Sequence, residues 1–263
     1  MFENIKIAFF DVDGTLFSYA INGFYESTIN TLIKLKEKGI KIAIATGRPY
    51  EMLYQLEELF EQVTFDYLIV SNGQSIYQND NLLYKNFINP NDVKTIIKKA
   101  NDLDYAYCLV GDDYSIANKY NDIMVYAFEK VAMPLPPIVQ IDEHFNKPAS
   151  HLVIYEKLNT MHHFKNIIKH TIMTSWTIDA YDFVPNNGVK ANGIKLVIKH
   201  LNIDPSEAIA FGDGDNDIEM IKYVGFGVAM GNAPLEVQEA ADYVCEHIDD
   251  DGITKTFKKL KLV

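Results

Sequence analysis

Cysteine is scarce in this chain. Its 263 residues hold two, Cys108 and Cys245, far apart and in no CxxC pair. That excludes a disulfide framework or a zinc knuckle and leaves two buried free thiols in a reducing compartment as the expectation. Bases are also short: 24 Lys and Arg stand against 36 Asp and Glu, a net charge of -12. Such a balance disfavours nucleic-acid backbones and anionic membranes as partners. No apolar run approaches the ~20 residues that span a bilayer. The N-terminus enters a strand pattern without a basic leader, so a soluble, cytoplasmic protein is expected. Low-complexity stretches and internal repeats are missing. GxxxxGK[ST] is absent, and Gly225-Phe226-Gly227-Val228-Ala229-Met230 lacks the third glycine of a dinucleotide fingerprint.

Apolar material is ample: 48% of residues are hydrophobic, with 16 Tyr and 15 Phe, enough for a real core in one large or two modest domains. The most informative stretch is FFDVDGTLFS. Ile5, Ile7, Ala8, Phe9 and Phe10 read as a buried strand, and the run ends abruptly in Asp11 and Asp13, followed by Gly14 and Thr15. In open α/β sheets the carboxyl edge is where ligands bind. Two acids there repel each other and lose hydration, so a cation, a substrate or a proton transfer is expected to use them.

The first third alternates as βαβ units: strand 5–10, helix 26–38, strand 40–45, helix 49–61 and strand 67–70, then a short hairpin. This predicts a parallel sheet. From 83 to 187 the texture changes to short aromatic and β-branched segments at 105–110, 150–155 and 175–184. Helices are expected from Asn89-Pro90 to 102 and over 158–169, with a proline-rich connector at 132–141. From 190 the βα rhythm returns, with a helix over 190–201, a strand over 208–211, a helix over 215–223, a strand over 225–229, a helix after Pro234 and a strand over 242–245. The expected fold is α/β, a Rossmann-like core with a mostly parallel sheet (1–82 and 188–263) and an inserted α+β cap domain (83–187).

Three more stretches join the first. IKIAIATGRP ends in Thr46, Gly47 and Arg48. NNGVKANGIK offers Lys190 at the start of a helical pattern. AIAFGDGDNDIEM ends a buried-strand run in Asp213, Asn216 and Asp217. In order and spacing these four resemble the motifs of the haloacid dehalogenase (HAD) phosphohydrolase superfamily, and most of all its Cof-type branch, whose cap lies between the second and third motifs.

The resemblance implies Mg²⁺-dependent hydrolysis of a small phosphomonoester, a sugar phosphate or similar metabolite, through an aspartyl-phosphate. Asp11 would be the nucleophile. Asp13 would be the general acid and base and lend its backbone carbonyl to the metal. Asp11 and Asp213 would be direct Mg²⁺ ligands. Thr46, Gly47, Lys190 and Asn216 would grip the phosphoryl group, with Lys195 the alternative to Lys190. Asp217 would stand behind the metal, holding a bound water or Lys190. Gly14 would allow a tight turn and Thr15 fix it. Thr46 would also suit a helix N-cap, and Asp215 another. Arg48 is left between sensing phosphate and packing at the cap boundary. Asp213, Asp215 and Asp217 alternate as in an EF-hand, but the sixth position is Ile218 and the twelfth Val224, which excludes that loop. A phosphomutase would share the nucleophile; a phospho-receiver domain would have no use for Asp13 or a cap. Tyr105, Tyr107 and Trp176 read as cap core, while Asp112, Asp113 and Tyr181 are candidates to face the substrate. The oligomeric state is open.

Overall fold

The computed structural model describes residues 4–79, 81–111, 114–130, 133–142, 144–177, 179–186 and 189–263. The chain divides into two compact units, Met1–Lys85 with Gly188–Val263, and Asn86–Asn187.

The first unit begins with β1 (Ile7–Phe10), a small hairpin of β2 (Phe17–Ser18) and β3 (Gly23–Phe24), α1 (Glu26–Glu37) and β4 (Lys41–Ala45). A 3₁₀ turn over Tyr50–Leu56 leads into α2 (Glu57–Gln62), then β5 (Tyr67–Val70), β6 (Ser75–Gln78) and β7 (Asn81–Lys85). The inserted unit holds α3 (Pro90–Asp102), β8 (Ala106–Val110), β9 (Ser115–Ala117), α4 (Asp122–Lys130), β10 (His151–Tyr155), β11 (Thr171–Thr177) and β12 (Ala180–Pro185). The chain then returns through α5 (Lys190–Leu201), β13 (Ala208–Gly212), α6 (Ile218–Tyr223), β14 (Phe226–Ala229), α7 (Leu235–Ala240), β15 (Tyr243–Val244) and α8 (Gly252–Lys259).

The first sheet runs β15-β14-β13-β1-β4-β5-β6-β7. It is parallel from β15 to β5, and β6 and β7 are antiparallel. Both faces are covered, which is why β1 and β13 are apolar at every position. Ala8, Phe10, Ile42, Ile44 and Phe211 pack with α1 and α8. Ile7, Phe9, Ala43, Ala208 and Ala210 pack with α5 and α6. Phe10 stacks on Phe211 at 5.4 Å, and Phe211 meets Phe257 at 5.1 Å. The fold class read from the sequence is therefore the one observed: α/β, with a mostly parallel central sheet and an α+β insert.

The insert is built on an antiparallel sheet, β11-β12-β10-β8-β9. Tyr107, Leu109, Leu152, Ile154, Tyr181 and Phe183 line one face with α3; Cys108, Val153, Tyr155 and Ala180 line the other with α4. Period-2 alternation sets this division.

Several elements differ from their sequence reading. The helix over 158–169 is only a 3₁₀ turn, Leu158–His163. The amides of Phe164 and Ile167 bond three residues back, and those of Lys169 and His170 are taken by the buried Asp92 carboxylate, so none of these four is available to an α-helical ladder. The single segment 175–184 is two strands of a hairpin, broken between Thr177 and Ala180. The helix expected from Pro49 starts at Tyr50 as a 3₁₀ turn, with Pro49 itself extended (ψ 160°) at the N-cap position. The hairpin β2–β3, strand β9 and helices α4 and α8 had no sequence reading; each is short, and two of the five buried residues of α8 are threonines. Tyr181 is core, with its hydroxyl beside that of Thr160, so it does not face a substrate. Asp112, Asp113 and the Trp176 side chain lie outside what is described.

Candidate active site

The carboxyl ends of β1, β4, β5, β13 and β14 meet at one edge of the parallel sheet. Asp11 follows β1, and its amide still donates to the Phe211 carbonyl of β13 at 3.0 Å. The chain then closes a tight turn. The amides of Thr15, Leu16 and Phe17 all donate to the Val12 carbonyl, and the Gly14 amide donates to the Phe17 carbonyl at 3.0 Å. A trans peptide points its C=O away from its N–H, so the last bond turns the Asp13 carbonyl away from Phe17. Gly14 has φ +86°, and a Cβ there would overlap the Asp213 carboxylate. Glycine is what lets the two acidic loops approach so closely.

Lys190 is the first residue of α5 and is almost wholly buried. It arrives there because α5 lies hard against the β5–β6 turn: a Cβ on Gly193 would strike Ile69 and come within 3.1 Å of the Gly73 Cα. The Lys190 Nζ donates to Asp11 Oδ1 at 2.5 Å and to Asp217 Oδ1 at 2.6 Å. The other Asp217 oxygen accepts the amides of Asp213 (3.0 Å) and Gly214 (2.9 Å). Asp217 therefore serves Lys190 and its own loop. The N-cap position of this turn is Gly214, not Asp215, which is exposed. Lys195 is also exposed, with its ammonium over the Tyr223 ring at 5.1 Å, away from the acids.

Asp11, Asp213 and Asp217 each present an oxygen within 4.8 Å of the others. Burial pushes the Asp11 carboxyl well above the usual carboxylate range; Lys190 opposes this, and Asp217 and Asp213 add to it. Burial likewise lifts Asp213 to about 6, although the Thr15 hydroxyl donates to its Oδ1 at 3.0 Å. For Lys190, burial alone would lower the ammonium, but the two carboxylates outweigh it and hold the charge firmly. One ammonium among three acids leaves negative charge uncompensated. With Asp217 already engaged, the Asp11 and Asp213 oxygens fit a small, hard divalent cation that keeps several waters, as Mg²⁺ does.

Asp13 lies apart from that cluster. The Arg48 Nε donates to its Oδ2 at 2.9 Å, Nη2 to Oδ1 at 2.6 Å, and the Tyr19 hydroxyl to Oδ1 at 2.9 Å. Burial raises this carboxyl, but the bonds and charge of Arg48 outweigh it and leave Asp13 below its ordinary value. Arg48 was legible as a motif residue, but its partner was not.

Thr46 is buried at the end of β4, and its hydroxyl accepts the Arg48 amide at 3.0 Å. It is not a helix N-cap; Pro49 holds that position. Beside it, Ser71, Asn72 and Gly73 all have positive φ, of 52°, 54° and 86°. This costs roughly 1–2 kcal/mol for each non-glycine residue. The strained turn brings Asn72 to the Gly47 backbone, where its side-chain oxygen accepts from Asn216 Nδ2 at 3.1 Å. Asn72 and Asn232 are the site-edge residues that sequence reasoning passed over. The signal for each was present: Ser71-Asn72-Gly73 and Gly231-Asn232-Ala233 both follow apolar runs that become strands of the same sheet.

Known proteins resemble this chain over nearly its whole length. The sequence model of the haloacid dehalogenase-like hydrolases matches residues 8–257. The chain belongs to that family. The YkrA protein of Bacillus subtilis is 31% identical over 98% of each chain. A 5-amino-6-(5-phospho-D-ribitylamino)uracil phosphatase of Escherichia coli, YbjI, is 26% identical over 98% of this chain and 96% of its own. Among solved structures, a HAD phosphatase from Bacteroides thetaiotaomicron superposes with a TM-score of 0.88 at 32% identity, covering 98% of this chain and 96% of that one. A sugar phosphatase of HAD subclass IIB gives 0.87 at 31% identity, covering 98% and 100%. Among the described residues, no helix is long and apolar enough to cross a membrane.

Proposed function

We propose that this HAD-family phosphatase hydrolyses small phosphomonoesters, sugar phosphates or similar metabolites, through an aspartyl-phosphate on Asp11. The observation that carries the reading is the buried Lys190 bridging Asp11 and Asp217 while Asp13 is held separately. One carboxylate is charge-compensated and aimed from a strand end, as a nucleophile must be; the other lies outside that cluster, and Arg48 must release it before it can carry a proton. YbjI and the subclass IIB sugar phosphatase, similar over nearly the whole chain, bear names that point to the same substrate class.

Asp11, Asp213 and the Asp13 carbonyl would hold Mg²⁺, which when bound offsets the charge of the phosphoryl oxygens. Lys190 neutralises the nucleophile and a phosphoryl oxygen. Thr46, the Gly47 amide and Asn216 orient the group. An Asp11 oxygen bonds to phosphorus as the phosphorus–oxygen bond to the leaving group breaks, and that oxygen takes a proton from Asp13. Water then attacks phosphorus and passes its proton to Asp13, and the bond to Asp11 breaks, releasing inorganic phosphate. Asp217 holds Lys190 in place throughout. The insert, 86–187, acts as a cap that selects the leaving group. Two buried free thiols support a reducing, cytoplasmic setting.

Rapid quench with a ³²P-labelled substrate tests the reading. Label should appear transiently on wild-type protein, be absent from a folded Asp11→Asn variant, and fail to turn over in excess EDTA. Turnover by Asp11→Asn within tenfold of wild type, or full activity in EDTA, would place the chemistry elsewhere.

A further inference from the structure

Asn232 has no place in the four motifs, yet three loops converge on its side-chain amide. Its Nδ2 donates to the Gly14 carbonyl at 2.8 Å and to Asp213 Oδ2 at 3.3 Å. Its Oδ1 accepts the Ile248 amide at 3.1 Å. The three partners come from the turn after β1, the loop after β13 and the segment after β15. Asn232 itself follows β14, whose end is pinned to β13 by the Met230 amide donating to the Gly212 carbonyl at 2.9 Å.

Both Asp213 oxygens are thereby gripped, Oδ1 by Thr15 and Oδ2 by Asn232. Each carboxylate oxygen has two lone pairs, so one neutral donor apiece leaves a lone pair on each for a cation. The donors fix the direction in which those lone pairs point. Groups that orient a metal-binding side chain typically change metal affinity ~10–100-fold when removed. Asn232 also holds the Gly14 carbonyl, one residue from the Asp13 carbonyl, so it braces both acidic loops from a third strand.

We propose that Asn232 is a positioning residue for the divalent-cation site, clamping Asp213 and the Gly14 turn together and tying them to Ile248. This rests on the cation reading given above. The Ile248 bond has a consequence of its own. The adjacent Asp249 accepts the hydroxyls of Ser18 (2.5 Å) and Tyr25 (3.1 Å), so the 248–249 segment is attached to the β2–β3 hairpin as well. By linkage, if Asn232 orders Asp213 for the cation, the bound cation must in turn order Asn232 and the Ile248 amide.

The test uses the whole chain and metal alone. Apo wild type, Asn232→Ala and Asn232→Ser are titrated with Mn²⁺ by following the free-ion EPR signal, and with Mg²⁺ by thermal shift. Serine is polar but too short to reach Asp213. Both variants should bind Mn²⁺ roughly 10–100-fold more weakly, with Thr15→Val, which removes the donor to the other oxygen, weakened in the same sense. Hydrogen exchange at Ile248 should slow with Mg²⁺ in wild type and stay unchanged in the Asn232 variants. A residue that served stability only would lower the apo melting temperature and leave metal affinity within twofold of wild type; that result overturns the proposal and spares the cation reading. A wild type that binds neither ion overturns both.

Discussion

Lys190→Met should destabilise the protein strongly in the absence of divalent cations. Lys190 and Asp217 are almost wholly buried, Asp11 nearly so, and the ammonium lies 2.5 and 2.6 Å from the two carboxylates. Methionine matches the length of the stem but has no charge. Removing one partner of a buried ion pair costs about 3–5 kcal/mol, because the remaining charge is stranded. At ~2–4 °C per kcal/mol for a chain near this size, the melting temperature should fall by roughly 6–20 °C at pH 8. The pH dependence follows from the same group. The Asp11 carboxyl is already raised by burial, and losing the ammonium raises it further. The folded variant then holds a proton that the unfolded chain has given up. Its stability is fully present below the unfolded carboxylate value and is lost as pH rises through the folded one. The gap between wild type and variant should therefore be small at pH 5 and widest at pH 8. Differential scanning fluorimetry in EDTA across that range measures it. A deficit under about 2 °C at pH 8, less than 1 kcal/mol on this scale, would mean that the charges are compensated from elsewhere.

Asp13→Ala should slow hydrolysis of an alkyl phosphate by ~10²–10⁴-fold, the usual worth of a general acid. It should spare the first step on a nitrophenyl phosphate, giving a burst of nitrophenol and then a stall; equal losses on both esters without a burst would remove Asp13 from proton transfer. In the insert, Asp182→Asn should stabilise the protein at pH 8. Burial raises the Asp182 carboxyl well above its usual range, its Oδ1 is buried without a partner among the described residues, and His151 Nε2 stands 3.8 Å from its Oδ2. The folded state thus favours the neutral acid, and wild type loses stability as pH rises from the unfolded carboxylate value through the folded one. The neutral amide avoids that loss, so a gain of ~2–4 °C per kcal/mol recovered is expected at pH 8, fading toward pH 4. A lower melting temperature at pH 8 would show that the ionised form is the one accommodated.

Local pattern alone determined much of this protein. Apolar runs broken by acids, glycines and a helix-start lysine placed β1, β4, β5, α5 and β13 within a residue or two of where they lie. Those same breaks drew attention to Asp11 and Asp13, and the resemblance to the four HAD motifs, rather than the breaks alone, joined them with Thr46, Gly47, Lys190, Asp213, Asn216 and Asp217 as one candidate site. The breaks are legible because a parallel sheet covered on both faces needs unbroken apolar strands, so polarity at a strand's carboxyl end stands out. Tertiary structure decided the pairings. No spacing says that Arg48 would take Asp13 while Lys190 bridges Asp11 and Asp217. Nothing local says that Asp92 would take two backbone amides 77 and 78 residues away. Nor does a lone Asn-Ala dipeptide reveal that Asn232 would join three loops. Sequence periodicity reports which face of an element is apolar. Which donor meets which acceptor across 35 or 218 residues depends on how closely the elements approach, and at Gly14 and Gly193 that approach is set by the absence of a single Cβ.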